Sequence, residues 1–270
     1  MSKTGRILVK LQISALACLL GGELAWADDY QACMGPSHEQ SAIDSCTALI
    51  AKGGFTNDDL SAIYNNRGAK FFSTERHEQA FADFEMAVRL NPASATAIDN
   101  RGMGFEEHHQ KNKALSYYNK AIEIDPKLPR PYANRSSISF SKHDYAGALA
   151  DVDRAIRLAP GQAEFLVTRC EFHLAAIQLN EAIKDCSMAV MENDKSARAH
   201  QSRGSAYYLS GDYGKAIEDF TAAITINPSN PRYYNQRGDA YTDSGDTARA
   251  EADYKSAIAL KKAKDLQSKN

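Results

Sequence analysis

The chain has 270 residues, room for one or two ordinary globular domains, and its 32 Lys and Arg against 34 Asp and Glu leave a formal net charge of −2. That balance excludes the basic excess of a nucleic-acid footprint, so no nucleic-acid partner is expected. Only eight prolines, with tyrosines spread along the chain, suit packed helices and argue against disorder.

Residues 1–27 read as a signal peptide. Lys3, Arg6 and Lys10 give a positive start, Leu11 to Gly22 is mostly apolar, and Ala25-Trp26-Ala27 offers small residues flanking a bulky one. Cleavage after Ala27 is expected, leaving a periplasmic or secreted chain without an integral membrane span. An uncleaved anchor fits less well, because an apolar core of roughly ten residues is too short for the ~30 Å of hydrocarbon. A lipoprotein anchored at Cys18 also fits less well, since Ala15 stands where a large aliphatic residue is wanted. Removing three cations and one anion leaves 29 positive against 33 negative residues, a net charge of −4. Four cysteines remain, Cys33, Cys46, Cys170 and Cys186, and in an oxidising compartment four cysteines allow three pairings.

Residues 28–60 form a partial unit. Gln40 to Asp44 is similar to the later run Gln79 to Asp83, Ala48 stands where Ala87 does, and Gly53-Gly54 breaks the segment before Asp58 and Asp59 open the next helix. The expectation is an N-terminal capping hairpin.

From Ser61 onward the chain repeats every 34 residues. The frames are 61–94, 95–128, 129–162, 163–196, 197–230 and 231–262, followed by a helical extension and tail over 263–270. The twentieth place is Ala80, Ala114, Ala148, Ala182, Ala216 and Ala250; the twenty-seventh is Ala87, Ala121, Ala155, Ala189, Ala223 and Ala257. The eighth is Gly68, Gly102, Ser136, Cys170, Gly204 and Gly238, and the twenty-fourth is Phe84, Tyr118, Val152, Cys186, Phe220 and Tyr254. Each frame reads as two amphipathic helices joined by a polar turn such as Ser210-Gly211-Asp212. Asn91-Pro92, Asp125-Pro126, Ala159-Pro160 and Asn227-Pro228 end the second helix, because the residue before Pro is pushed out of the helical region. One hairpin cannot bury its apolar face alone, so stability must come from stacked neighbours.

These six frames, about 205 residues, resemble tetratricopeptide repeats of a bacterial exported type. They share a small eighth residue, Ala at twenty and twenty-seven, an aromatic at twenty-four and Pro at thirty-two; Asp194 and Lys262 depart from the last. The resemblance implies an all-α fold, a right-handed superhelical solenoid of antiparallel helical hairpins. It also implies a non-catalytic scaffold that binds a peptide or partner protein on its concave groove.

Two columns stand out. The seventh place is Arg throughout (Arg67, Arg101, Arg135, Arg169, Arg203 and Arg237), where the family favours Leu. The twenty-third is Asp83, Asp151, Asp185, Asp219 and Asp253, with Tyr117 the exception. Places summing to about thirty face each other across a hairpin, so these should meet, within a unit or across to the next. An ion-pair ladder is favoured over a cationic stripe for phosphate or carboxylate ligands. Cys170 and Cys186 hold facing places of one unit, so a bridge is expected there; Cys33 and Cys46 would then pair by elimination.

No catalytic motif, cofactor site or metal-ligand spacing is found. Glu106-Glu107-His108-His109 is best read as a solvated helix end, since neighbours on a helix point about 100° apart. His173 replaces an aromatic of the eleventh place and is read as a packed imidazole. In the family, places two, five, nine, twelve and thirteen of the first helix line the groove. Here these include Asn65, Phe72, Asp99, Met103, Glu106, Arg130, Phe140, Glu171, Leu174, Arg198, Gln201, Tyr208, Arg232, Asn235 and Asp239. Mixed charge with scattered aromatics suits an extended peptide or partner helix. The family's carboxylate clamp needs Lys and Asn where Asn65 and Ala69 stand, so acidic chaperone tails are not the expected ligand. A self-associating envelope component, including a homodimer, is the alternative.

Overall fold

The computed structural model describes residues 23–36 and 38–267. Most of the expected signal peptide, the alternative lipid site Cys18 and residues 268–270 of the tail lie outside the described residues. Among the described residues there are fourteen helices and no strand. The chain divides into two compact units, with the boundary after Pro92.

The first unit holds α1 (Glu23–Met34), α2 (Glu39–Lys52), α3 (Asn57–Ser73) and α4 (His77–Leu90). Thr56 caps α3 by accepting from the Asp59 N–H, while its hydroxyl donates to the Asp59 carboxylate at 2.7 Å. The expected hairpin over 28–60 forms from α1 and α2, but α1 starts five residues earlier, inside the segment read as leader. Within that stretch Trp26 packs against the cluster of Cys33, Cys46, Leu49 and Ile63 and lies under Lys52 Nζ at 5.4 Å from its ring centre.

The second unit holds five hairpins: α5 (Ala95–Glu107) with α6 (Lys111–Ile124), α7 (Arg130–Ser141) with α8 (Tyr145–Leu158), and α9 (Ala163–Ala175) with α10 (Leu179–Glu192). They continue with α11 (Ala197–Leu209) and α12 (Tyr213–Ile226), then α13 (Pro231–Asp243) and α14 (Thr247–Gln267). Each second helix packs on the first helix of the next hairpin, and first helices touch their successors. Caps mark the starts: Ser94, Asp144, Ser196, Asp212 and Asn230 each accept an N–H of the first turn. The fourth frame has no Pro, yet α10 stops where its neighbours do. Asn193 Oδ1 accepts the Lys195 N–H at 3.1 Å, the same Asx turn that Asp125 and Asn227 make beside their prolines, so the turn persists without the ring.

The alanine columns form the floor of the packing. Ten of the twelve are completely buried, and Ala250 and Ala257 are 2 % and 3 % exposed. The eighth and twenty-fourth places meet face to face within each hairpin. A Cβ on Gly102 would fall 2.5 Å from the Tyr118 ring, and one on Gly204 would fall 2.8 Å from Phe220. Where the ring is absent the small partner changes too: the places hold Ser136 and Val152, both fully buried, in one hairpin, and Cys170 facing Cys186 at a Cα separation of 5.6 Å in the next. Burying a side chain such as Phe220 contributes roughly 1.5–3 kcal/mol, and the close approach of the glycine makes that burial possible.

The turn between paired helices has one backbone form. Its left-handed residue is Glu75, His109, His143, Ile177, Gly211 and Gly245 in turn, with φ between 57° and 92°. Four of these carry a side chain that the left-handed region disfavours, and Ile177 is β-branched.

Candidate functional site

The Arg and Asp columns meet within each hairpin. Arg67, Arg135, Arg169, Arg203 and Arg237 each grip both oxygens of the aspartate sixteen residues on, at 2.7–2.8 Å. The hydrogen bond to the aspartate, acting against partial burial, raises each of these guanidinium pKa values. In the second unit the third donor reaches backwards: Arg135 to Asn119, Arg169 to Asp153 and Arg237 to Thr221, each sixteen residues earlier. Both expected modes, within a unit and across units, are therefore present. Arg101, which faces Tyr117 in place of an aspartate, lies over that ring at 5.3 Å and over Phe105 at 5.5 Å. This column holds the fold and is not available as a cationic stripe.

Both cysteine pairs sit at disulfide distance, Cys33 with Cys46 and Cys170 with Cys186. Cys170 and Cys186 are completely buried beside Ala182 and Ala206. His173 packs as expected, its Nδ1 2.7 Å from Gln178 Oε1 and its Nε2 3.6 Å from Asp185. His108 bonds the Gly104 carbonyl at 2.7 Å and His109 makes the turn, so the two rings have separate tasks.

The first-helix face of the second unit carries most of the residues expected to line a groove. Arg130, Arg198, Arg232, Asn235 and Asp239 are exposed. Met103, Glu106, Phe140, Glu171, Leu174 and Tyr208 are half-buried, as is Phe72 of the first unit, which packs on Phe84 and His77. Three expectations of exposure fail: Asn65, Asp99 and Gln201 are buried at 9 %, 1 % and 8 %. All three hold the fifth place. In the second unit the reason is visible, because this place faces the next first helix and is closed over by it. Asn134 of α7 donates to Asp99 Oδ1 at 3.0 Å, and Gln201 and Gln236 both donate to Ser205 Oγ, at 3.1 and 3.0 Å.

Other members of the set are also tied between helices. Glu171 accepts two N–H bonds from Arg198, at 2.9 and 2.5 Å, and one from the Ser202 hydroxyl. Tyr208 donates to Asp243 at 2.6 Å, which together with slight burial pushes its hydroxyl up to about 12. Glu106 accepts from the completely buried Tyr118 at 2.9 Å. Burial pushes the Asp99 carboxyl up to about 7, against the hydrogen bond from Asn134 and the charge of Arg130.

Two of the cavities on this unit lie beside these residues. One of about 270 Å³ lies beside Asp99, between Arg130, Leu128, Pro129 and Phe165. The other, about 370 Å³, lies at the turn side between Phe140, Tyr145, Leu149 and Phe172. Phe140 and Phe172 stack with centroids 4.3 Å apart, and Tyr145 meets Phe140 edge-on at 5.1 Å. The sequence reading picked out Phe140 but not its partner; both stand at first-helix positions, two places apart in successive frames. The first unit has its own cleft of about 390 Å³ among Trp26, Tyr30 and Phe55.

Family models for the tetratricopeptide repeat match residues 109–128 and 231–264, and a further TPR-repeat model matches 204–245. The chain carries tetratricopeptide repeats. Its fold is all-α, the class of helical-repeat superhelices. No curated protein matches it. Solved structures do. A tetratricopeptide repeat protein from Parabacteroides merdae is similar at 18 % identity and a TM-score of 0.62, over 88 % of this chain and 92 % of that one. PilW, described as a widely conserved type IV pilus biogenesis factor, is similar at 16 % identity and 0.63, over 72 % and 90 %. YrrB, described as a TPR protein with an unusual peptide-binding site, is similar at 20 % and 0.51, over 66 % and 91 %. Likeness at these identities speaks for the fold of this chain and leaves its ligand to the site.

Proposed function

We propose that this protein is a non-catalytic interaction scaffold that binds a peptide or partner protein along its first-helix face, outside the cytoplasm. The observation that carries the reading is the division of labour among its charges. One arginine column is consumed by the aspartate ladder, while Arg130 of α7 and Arg232, Asn235 and Asp239 of α13 face solvent, and the exposed Arg198 of α11 pairs with Glu171 on the same face. The repeats and the peptide-binding description of YrrB support this class of ligand. Two cysteine pairs at bonding distance support an oxidising compartment, as does the leader-like start of the sequence. No helix among the described residues is long and apolar enough to cross a membrane.

The test is affinity capture from an envelope extract, with photo-crosslinkers at Arg198 and Arg232. A partner crosslinked at both sites and lost in the double charge reversal supports the reading; capture of nothing across a range of salt overturns it. Location is read separately: export predicts a mature chain beginning at Asp28 in the extracytoplasmic fraction, and a cytoplasmic chain retaining Met1 refutes it. Ile258 and Leu266 of α14, 55 % and 67 % exposed, favour the alternative of self-association. Mass measurement in solution decides that one, a stable monomer ruling it out.

A further inference from the structure

Five aspartates are buried in the described structure: Asp83, Asp99, Asp185, Asp219 and Asp253. Four of them are each gripped by two N–H groups of an arginine. Asp99 has no such partner. Asn134 Nδ2 donates to its Oδ1 at 3.0 Å, and among the described residues it forms no salt bridge. Arg130 acts on it electrostatically without closing an ion pair. A carboxylate taken out of water at 1 % exposure is expected to have a cation against it, because desolvation disfavours the bare charge by several kcal/mol.

The cavity of about 270 Å³ beside this carboxylate supplies the space for one. It is smaller than the ~300–1,000 Å³ of pockets that take drug-sized ligands, a size suited to one side chain. Its walls at Leu128, Pro129 and Phe165 are apolar, and its charged side chains are Asp99 and, on the exposed rim, Arg130. An apolar wall leading to a lone carboxylate is complementary to a long aliphatic stem ending in a cation.

We propose that this cavity receives a lysine or arginine side chain of a bound peptide, its cation pairing with Asp99 and its stem lying on Leu128, Pro129 and Phe165. The proposal rests on the first-helix face being a peptide-binding surface and names one element of what it selects. Arg130 stands in the way electrostatically, so it lowers the affinity and must turn toward solvent as the ligand enters.

The full-length protein is titrated with Nα-acetyl-lysine amide, Nα-acetyl-arginine amide and the neutral Nα-acetyl-norleucine amide, followed by NMR. The two cations are expected to bind about tenfold or more tighter than norleucine, and Asp99→Asn to abolish the difference. Arg130→Ala should strengthen both cations more than norleucine, which keeps the test alive if the first variant folds poorly. Equal affinity for all three amides, or discrimination that survives in Asp99→Asn, overturns the proposal. A random peptide library separates it from the broader reading. Peptides retained without basic bias, equally by wild type and Asp99→Asn, leave the groove and remove the cavity; cationic amides bound while no peptide is retained do the reverse.

Discussion

Arg169 holds both oxygens of Asp185 at 2.7 Å, and its remaining guanidinium nitrogen reaches Asp153 of the preceding hairpin at the same distance. One side chain thus ties a first helix to its own second helix and to the one before. The Asp185 side chain is 4 % exposed, so removing either partner strands a desolvated charge. Asp185→Ala should lower the unfolding free energy by about 3 kcal/mol or more, measured by urea denaturation. The double variant Arg169→Met with Asp185→Leu should lose much less. A single and a double variant of equal cost would show that packing, and not the uncompensated charge, sets the loss.

Asp99 gives the stability a dependence on pH. Its folded pKa, about 7, lies above the ordinary carboxylate value, so the folded state holds the proton more tightly than the unfolded one. The contribution is fully present below pH ~4 and is lost as pH rises through about 7. The loss has an upper limit of roughly 4 kcal/mol. Unfolding free energies of wild type and Asp99→Asn, compared at pH 4 and pH 8, should converge in acid and favour the variant in base. A difference that does not change with pH would refute the assignment.

His200 shifts stability with pH in the same sense as Asp99, through a gained partner and not through burial. Its hydrogen bond to Asp219 at 3.0 Å, with a second to the Asp194 carbonyl, outweighs partial burial and raises its pKa. The stabilisation is therefore fully present below the unfolded value near 6.5 and lost as pH rises through the folded value. His200→Gln should cost stability at pH 5.5 and much less at pH 9, read from thermal midpoints. An equal cost at both would mean that the ring acts through shape alone.

Ile177 occupies a left-handed turn position with φ 57° and is 74 % exposed, so it has little packing to set against its backbone. The corresponding residues of the next two hairpins are Gly211 and Gly245. Ile177→Gly is expected to stabilise the protein by about 1 kcal/mol, because a β-branched side chain in this region costs about 1–2 kcal/mol. Differential scanning calorimetry checks it; a lower melting temperature would mean that the isoleucine is held by contacts outside this chain.

Cys170 and Cys186 close a short loop, and reducing that bridge should cost about 3 kcal/mol. Because the next hairpin fills the same two places with Gly204 and Phe220, the pair Cys170→Gly with Cys186→Phe should recover part of the loss. Chemical denaturation of oxidised, reduced and substituted protein tests both statements. A substituted hairpin no more stable than the reduced one would show that the two places are not interchangeable between units.

The repeat was legible because its cause is steric. Ala182 and Ala189 recur where a helix backbone must approach its neighbour, and no larger side chain fits. Arg169 and Asp185 were legible as partners from the facing of their places across a hairpin. Burial at the fifth place was not, since it depends on how closely one first helix leans on the next, and neither Asp99 nor Gln201 carries that angle in its identity. The common turn was hidden as well. Glycine marks it at Gly211 and Gly245, while His109 and Ile177 adopt the same backbone against their preference. Nothing in the sequence indicated that Trp26, inside the segment read as leader, would pack on Cys33, Cys46 and Leu49.

The backward and forward reach of the arginines is sixteen residues in each direction, within a period of 34. Excising one whole unit would therefore carry an arginine from its old rear neighbour to the equivalent atom of another, with its forward aspartate undisturbed. A gain or loss of a fractional unit would misalign the guanidinium with both. The ladder thus acts as a reading frame in space: it lets the array change length by duplication or deletion of complete modules and penalises every other change.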